Sequence, residues 1–315
     1  MKLQTQLPLE IQSPLIDYSS KLVLLGSCFA ENIAEKFSYY KFQNEVNPLG
    51  VLFHPIAILD LLTRAHENNP YSEKDIFFSN GCWQSFQSHS RLNSISQIEI
   101  LDHLNKALKS TQDQLKNASH VILTFGTAWV YEHIQSKTIV ANCHKQPQKE
   151  FEKSILSIDQ LQDTFNSIIS ILKSFNPKVT VVFSISPVRH LKDGFVENNL
   201  SKAHLITALH SVINTTENTH YFPSYELLMD ELRDYRFYKQ DMVHPNQIAI
   251  DYVWEKFQPI WIDADVNPIM QEVNQLQKGF AHKPFNPLAE EHAIFLSSLA
   301  KKAKAMESRF PFMKF

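Results

Sequence analysis

Short runs of apolar residues punctuate the chain at Leu22–Leu25, Val121–Phe125, Val179–Phe183 and, more weakly, His220–Phe222. Runs this short and this continuously apolar fit strands buried on both faces. Helical periodicity fills the gaps. A helix from about Cys28 to Phe37 follows the first run, and a polar amphipathic stretch, roughly Ser96 to Asn117, precedes the second. Before the third, Ile158, Leu161, Phe165, Ile168, Ile169 and Leu172 recur at helical spacing, and Asn176-Pro177 ends that helix. A helix near Leu200 to Asn214 precedes the fourth. Buried strands alternating with helices predict an α/β fold of three layers, α/β/α, around a mainly parallel sheet. In such sheets ligands bind at the carboxyl ends of the strands.

After Trp261 the pattern becomes two helical stretches, near Asn267–Gln277 and Pro287–Met306. The chain therefore reads as an α/β domain over residues 1–260, with an insertion at about 52–118, and a helical C-terminal extension over 261–315. The role of that extension and the oligomeric state stay open.

Composition removes several function classes. A formal net charge of −3 gives no electrostatic reason to expect nucleic acid or an anionic membrane as partner. No apolar run approaches a membrane span, and residues 1–21 lack a secretion signature. Three cysteines without a Cys-x-x-Cys pair make a disulfide framework unexpected and point to a reducing cytoplasm. With six glycines and no glycine-rich phosphate loop, no nucleotide cofactor is expected. Fourteen histidines invite a metal, but no HExxH is present, and no metal site is expected.

The chemistry concentrates at two places. Ser27 stands where the first strand meets a helix, so its hydroxyl projects from a tight turn beside unpaired helix N–H groups. A serine N-cap, the commoner use of serine before a helix, is the structural alternative. Far along the chain, Asp241-Met242-Val243-His244-Pro245 leads into another helix. A carboxylate three residues before an imidazole on a turn can fix its tautomer and leave the second ring nitrogen for a nucleophile. The alternative is a surface turn whose aspartate bonds only the backbone.

Gly26-Ser27-Cys28-Phe29-Ala30 resembles the motif that names the GSCFA family, a bacterial group related to the SGNH (GDSL-like) hydrolases. Asn47-Pro48-Leu49-Gly50, Thr124-Phe125-Gly126-Thr127-Ala128-Trp129, Ala141-Asn142-Cys143-His144-Lys145 and Ser186-Pro187-Val188-Arg189-His190 are similar to further stretches of it. Asp241 to Pro245 matches the last SGNH block. The resemblance implies a flavodoxin-like fold and serine-based ester chemistry, with Ser27 as nucleophile, His244 as base and Asp241 orienting it. It also implies an oxyanion hole from the amides of Ser27 and Gly50. The superfamily's Gly-x-Asn is missing: Gly126 is followed by Thr127 and Ala128. Thr127 is the candidate third donor, with Asn142 or His190 reaching in from other loops.

Cys28 is the rival nucleophile, read here as a packing residue. His89, Asn142, Arg189 and His190 are candidate substrate contacts. The expected activity is a serine esterase or acyl hydrolase on a small-molecule or carbohydrate ester such as an O-acetylated sugar. Transfer of the acyl group to a carbohydrate and a non-catalytic ligand-binding protein on the same fold are the alternatives.

Overall fold

The computed structural model describes residues 4–315; the first three residues of the segment 1–21 lie outside the described part. In chain order the strands are β1 (Lys21–Gly26), β2 (Gln43–Val46), β3 (Phe77–Ser79), β4 (Cys82–Gln84), β5 (His120–Phe125), β6 (Trp129–His133), β7 (Thr138–Val140), β8 (Phe151–Ile155), β9 (Thr180–Ile185) and β10 (Thr219–Tyr221). The helices are α1 (Cys28–Tyr39), α2 (Pro55–His66), α3 (Gln97–Asn117), α4 (Ile158–Phe175), α5 (Phe195–Ile213), the single turn α6 (Ser224–Glu226), α7 (Gln247–Trp261), α8 (Asn267–Ala281) and α9 (Glu290–Arg309).

The central sheet runs β10-β9-β5-β1-β2, every pair parallel. Counting only these strands along the chain, the order is 2-1-3-4-5, the doubly wound flavodoxin-like arrangement. Its reversal point lies between β1 and β5. Alternation within β1 shows why helices cover both faces. Val23 and Leu25 enter one core with α2, α3, α4 and α5, whereas Leu22 and Leu24 enter the other with α1 and α7. The second core is rich in aromatic rings: Phe37 meets Trp254 and Phe257 edge-on, with ring centroids 5.0 and 5.7 Å away.

Residues 52–118, expected as an insertion, carry α2 and α3, which pack in one core with β1, β5 and β9. Parallel neighbours cannot be joined by a tight turn, so the path from β2 back to β5 must carry covering helices, here α2 and α3. The additional structure within the segment is the antiparallel β3–β4 hairpin. A second addition, absent from the sequence reading, is the antiparallel sheet β7-β6-β8.

The C-terminal helices pack on the aromatic face. Met270, Val273 and Leu276 of α8 share that core with Leu299, Ala303 and Met306 of α9. Asn274 and Gln277 of α8 bond Tyr39 at the end of α1, at 2.8 and 3.0 Å. Among the described residues, no helix is long and apolar enough to cross a membrane.

Candidate active site

The reversal of strand order opens the sheet at the carboxyl ends of β1 and β5. β1 ends at Gly26, whose φ of 137° belongs to glycine. Even apart from φ, a Cβ there would lie 2.1 Å from the Thr124 carbonyl oxygen. This close approach lets Ser27 extend the ladder, its N–H donating to Thr124 O at 2.9 Å. On the other side the Gly26 N–H donates to Asn47 Oδ1 at 2.8 Å. Ser27 is then the N-cap of α1, its Oγ accepting from the Phe29 N–H at 3.3 Å. It is 1% exposed, so both of its readings, cap and candidate nucleophile, coincide on one buried hydroxyl.

The donors nominated for an oxyanion are all engaged within the protein. The Ser27 amide serves Thr124, and the Gly50 amide donates to Asn47 O at 2.7 Å. Thr127 Oγ1 lies 3.1 Å from Ser201 Oγ and accepts from the Trp129 N–H. The amide that the turn leaves over is that of Cys28, the first residue of α1. Its N–H has no acceptor among the described residues, as expected of a helix start.

Asp241 and His244 pair as their spacing suggests. Asp241 Oδ2 lies 2.7 Å from His244 Nδ1, while Oδ1 accepts from the N–H groups of Val243 and His244, both at 2.9 Å. Those two backbone donors, with the imidazole as third partner, hold the Asp241 carboxyl down at about 2. His244 Nε2 has no partner among the described residues, and no hydrogen bond joins it to Ser27 Oγ.

His190 lies on the loop after β9. Its ring meets Phe53 edge-on, with centroids 5.4 Å apart. Its Nε2 lies so near Gly126 that a Cβ on that residue would be 2.9 Å away. Asn198 Oδ1 holds its backbone N–H at 3.0 Å, but neither ring nitrogen has a partner among the described residues. Burial, followed by the neighbouring charges of Lys202 and His244, pushes its pKa down to about 3, so the imidazole is neutral at any working pH.

Beneath His190 lies a residue that sequence reasoning missed. Lys202 of α5 is 1% exposed and donates to Gly126 O at 2.6 Å and Ser186 O at 2.7 Å. The available signal was helical spacing, since Asn198, Ser201, Lys202, Leu205, Ala208, Leu209 and Val212 share the buried face of α5.

The remaining candidates divide. His89 borders the site: its N–H donates to Leu49 O at 2.9 Å, and Arg91 beside it bonds Glu31 Oε1 at 2.7 Å and the Asn47 carbonyl. Arg189 braces the loop before His244, with its guanidinium 5.1 Å from the Tyr238 ring centroid and 5.9 Å from that of Tyr235. Asn142 Oδ1 accepts from the His144 N–H at 2.9 Å. Burial and the charge of Glu31 raise the Cys28 thiol, which disfavours the thiolate a cysteine nucleophile needs. Among the described residues, no three His, Cys, Asp or Glu side chains converge as a metal site would require.

A model of the GSCFA family matches residues 21–257, and a model described as the GSCFA domain protein C-terminal domain matches residues 273–315. No curated protein matches the chain. Among solved structures, a carbohydrate esterase of family 3 from Talaromyces cellulolyticus aligns with 81% of this chain and 99% of its own, at 10% identity and a TM-score of 0.36. A family 3 carbohydrate esterase from Clostridium thermocellum aligns with 76% of this chain and 95% of its own, at 8% identity and a TM-score of 0.37. At that distance, the description of the fold rests on this chain's own strand order.

Proposed function

This chain belongs to the GSCFA family, and from that premise we propose that it is a serine hydrolase acting on a short-chain ester, such as an O-acetylated carbohydrate. The observation that carries the reading is the Asp241–His244 pair at 2.7 Å, with Nε2 unpartnered among the described residues, in a fold whose first strand is followed at once by a serine. Ser27 Oγ attacks the ester carbonyl as its proton passes to His244 Nε2, and Asp241 stabilises the imidazolium. The tetrahedral oxyanion takes its hydrogen bonds from the Cys28 N–H at the start of α1 and from the neutral His190 ring. Collapse expels the alcohol, which recovers the proton from His244. Water then attacks the acyl-enzyme by the same route and releases the carboxylic acid. The Ser27–His244 hydrogen bond belongs to the substrate complex, because such bonds are often long in unliganded sites. The crowding of His190 and Phe53 against Gly126 favours a small acyl group.

The test is fluorophosphonate labelling and ester turnover in wild type and in the Ser27→Ala, Cys28→Ala and His244→Ala variants. Ser27→Ala is expected to lose label and to lower kcat by at least about a thousandfold. Its stability should fall by only about 1 kcal/mol, for the lost N-cap. Cys28→Ala should label normally. One observation favours a second reading, a ligand-binding protein without turnover: Ser27 is 1% exposed. Folded wild type that neither labels nor turns over esters would select it.

A further inference from the structure

A lysine fully inside a protein is costly unless its charge is compensated, and Lys202 has no carboxylate partner among the described residues. A methionine of similar shape would fill the same space without that cost. What Lys202 has instead is a pair of carbonyls at one particular place. The ladder between β5 and β9 closes with Phe125 opposite Ile185 and a last bond from the Ser186 N–H to Phe125 O. Beyond it the two chains separate: the Gly126 N–H turns away to Phe53 O at 2.8 Å. Lys202 Nζ spans the gap by bonding Gly126 O and Ser186 O together.

We propose that Lys202 is a positioning residue for acyl transfer at Ser27: its ammonium clamps the diverging ends of β5 and β9, and so sets the loop of Gly126–Thr127 and the loop of Arg189–His190 on either side of the reacting carbonyl. The inference rests on the hydrolase reading above. Three elements face the ammonium. They are His190 from the loop after β9, Cys28 from the start of α1, and the Tyr225 ring of α6 at 6.0 Å. His244 acts on His190, and Glu31 acts on Cys28. Among the described residues no carboxylate pairs with Nζ to offset its charge. The ammonium charge adds to the burial that keeps His190 unprotonated, and therefore a hydrogen-bond donor without charge of its own, and it favours negative charge developing beside Cys28.

The clamp and the charge separate on titration. Burial brings Lys202 down to about 7, and a neutral amine still has two N–H groups for two carbonyls. Raising the pH removes the charge and leaves the clamp, whereas Lys202→Met removes both.

The experiment follows hydrolysis of p-nitrophenyl acetate by the full chain across about pH 6 to pH 9, a range bracketing the lysine titration. Wild type, Lys202→Met, Lys202→Arg and Ser27→Ala are compared, with thermal melts of each. Wild type should lose kcat as the pH rises through about 7. Lys202→Met should fold, lose at least about tenfold in kcat with KM little changed, as a loosened site does, and show no alkaline fall. Lys202→Arg, charged at every pH used, should regain part of kcat and also lack the alkaline fall. A folded Met variant with wild-type kcat and an unchanged profile overturns the proposal. Should the Met variant not fold, a wild-type profile flat above neutrality overturns it. Absence of Ser27-dependent turnover in wild type overturns the hydrolase reading itself, and the positioning role with it. Turnover indifferent to Lys202 overturns the positioning role alone.

Discussion

The two ends of the proposed proton path are built in opposite ways. Ser27 is held by the sheet. Its amide lies in the β1–β5 ladder, its hydroxyl caps α1, and it is 1% exposed. Asp241 and His244 are held by one local turn, and their side chains are 48% and 42% exposed. A buried element can be placed only by everything packed around it, whereas a turn closed by its own carboxylate needs few neighbours. The backbone that places Ser27 should therefore fail as a fold when it is disturbed, and the base side should fail chiefly as chemistry.

The largest expected effect tests the first half of that contrast. Gly26→Ala puts a methyl 2.1 Å from a backbone oxygen that cannot move without breaking the central ladder, and does so at a φ of 137°. Urea denaturation should show a loss of more than about 4 kcal/mol, the range of severe strain and overpacking, or no folded protein. Stability within about 1 kcal/mol of wild type, by the same scale, would mean that the turn relaxes and that Ser27 is not rigidly placed.

Asp241→Asn tests the other half. The amide cannot hold the imidazole tautomer as a carboxylate does, so kcat should fall by about a hundred- to ten-thousandfold, while the protein stays folded and loses only the carboxylate's contribution to its stability near neutrality. The pH dependence follows from the depressed carboxyl. Unfolded Asp241 takes up its proton near the ordinary value of 3.8, whereas folded Asp241 does so only near 2. Its stabilisation is thus fully present above the ordinary value and disappears as the pH falls through about 2.

The same contrast explains what could be read from sequence. β1, β5 and β9 are buried on both faces and announce themselves as apolar runs, so the parallel sheet and the position of Ser27 were readable. The Asp241–His244 spacing was readable because the interaction is local. β2, Gln-Asn-Glu-Val at the sheet edge, and β6 to β8, with mixed exposure, have no continuous apolar face and gave no signal. The bonds that engage the nominated oxyanion donors were not readable for a related reason. Whether the Ser27 or the Cys28 amide is left over depends on how far the ladder to β5 extends, and that is a property of register between distant segments. Lys202 escaped because lysine reads as surface even at a position where helical spacing points inward.

The smallest effect is expected where the two regimes meet, at the exposed rim. Arg91 bonds Glu31 of α1 at 2.7 Å and the Asn47 carbonyl, so it links the helix that Ser27 caps to the loop running to Gly50. The ion pair is partly solvated, with side chains 44% and 30% exposed, and such pairs contribute about 0.2–1 kcal/mol. Arg91→Met and Glu31→Gln, alone and together, should each destabilise by less than about 1 kcal/mol, with a coupling near 0.5 kcal/mol that weakens as salt is added. The link to Asn47 makes this more than a surface count, because the Asn47 side chain also fixes the Gly26 N–H. If the cycle returned a coupling above about 2 kcal/mol, beyond what a solvated pair supplies, the rim would belong to the rigid side. Ser27 would then owe its place to a polar network reaching solvent as well as to the sheet, and the boundary between the buried and the local halves of the site would lie beyond Arg91.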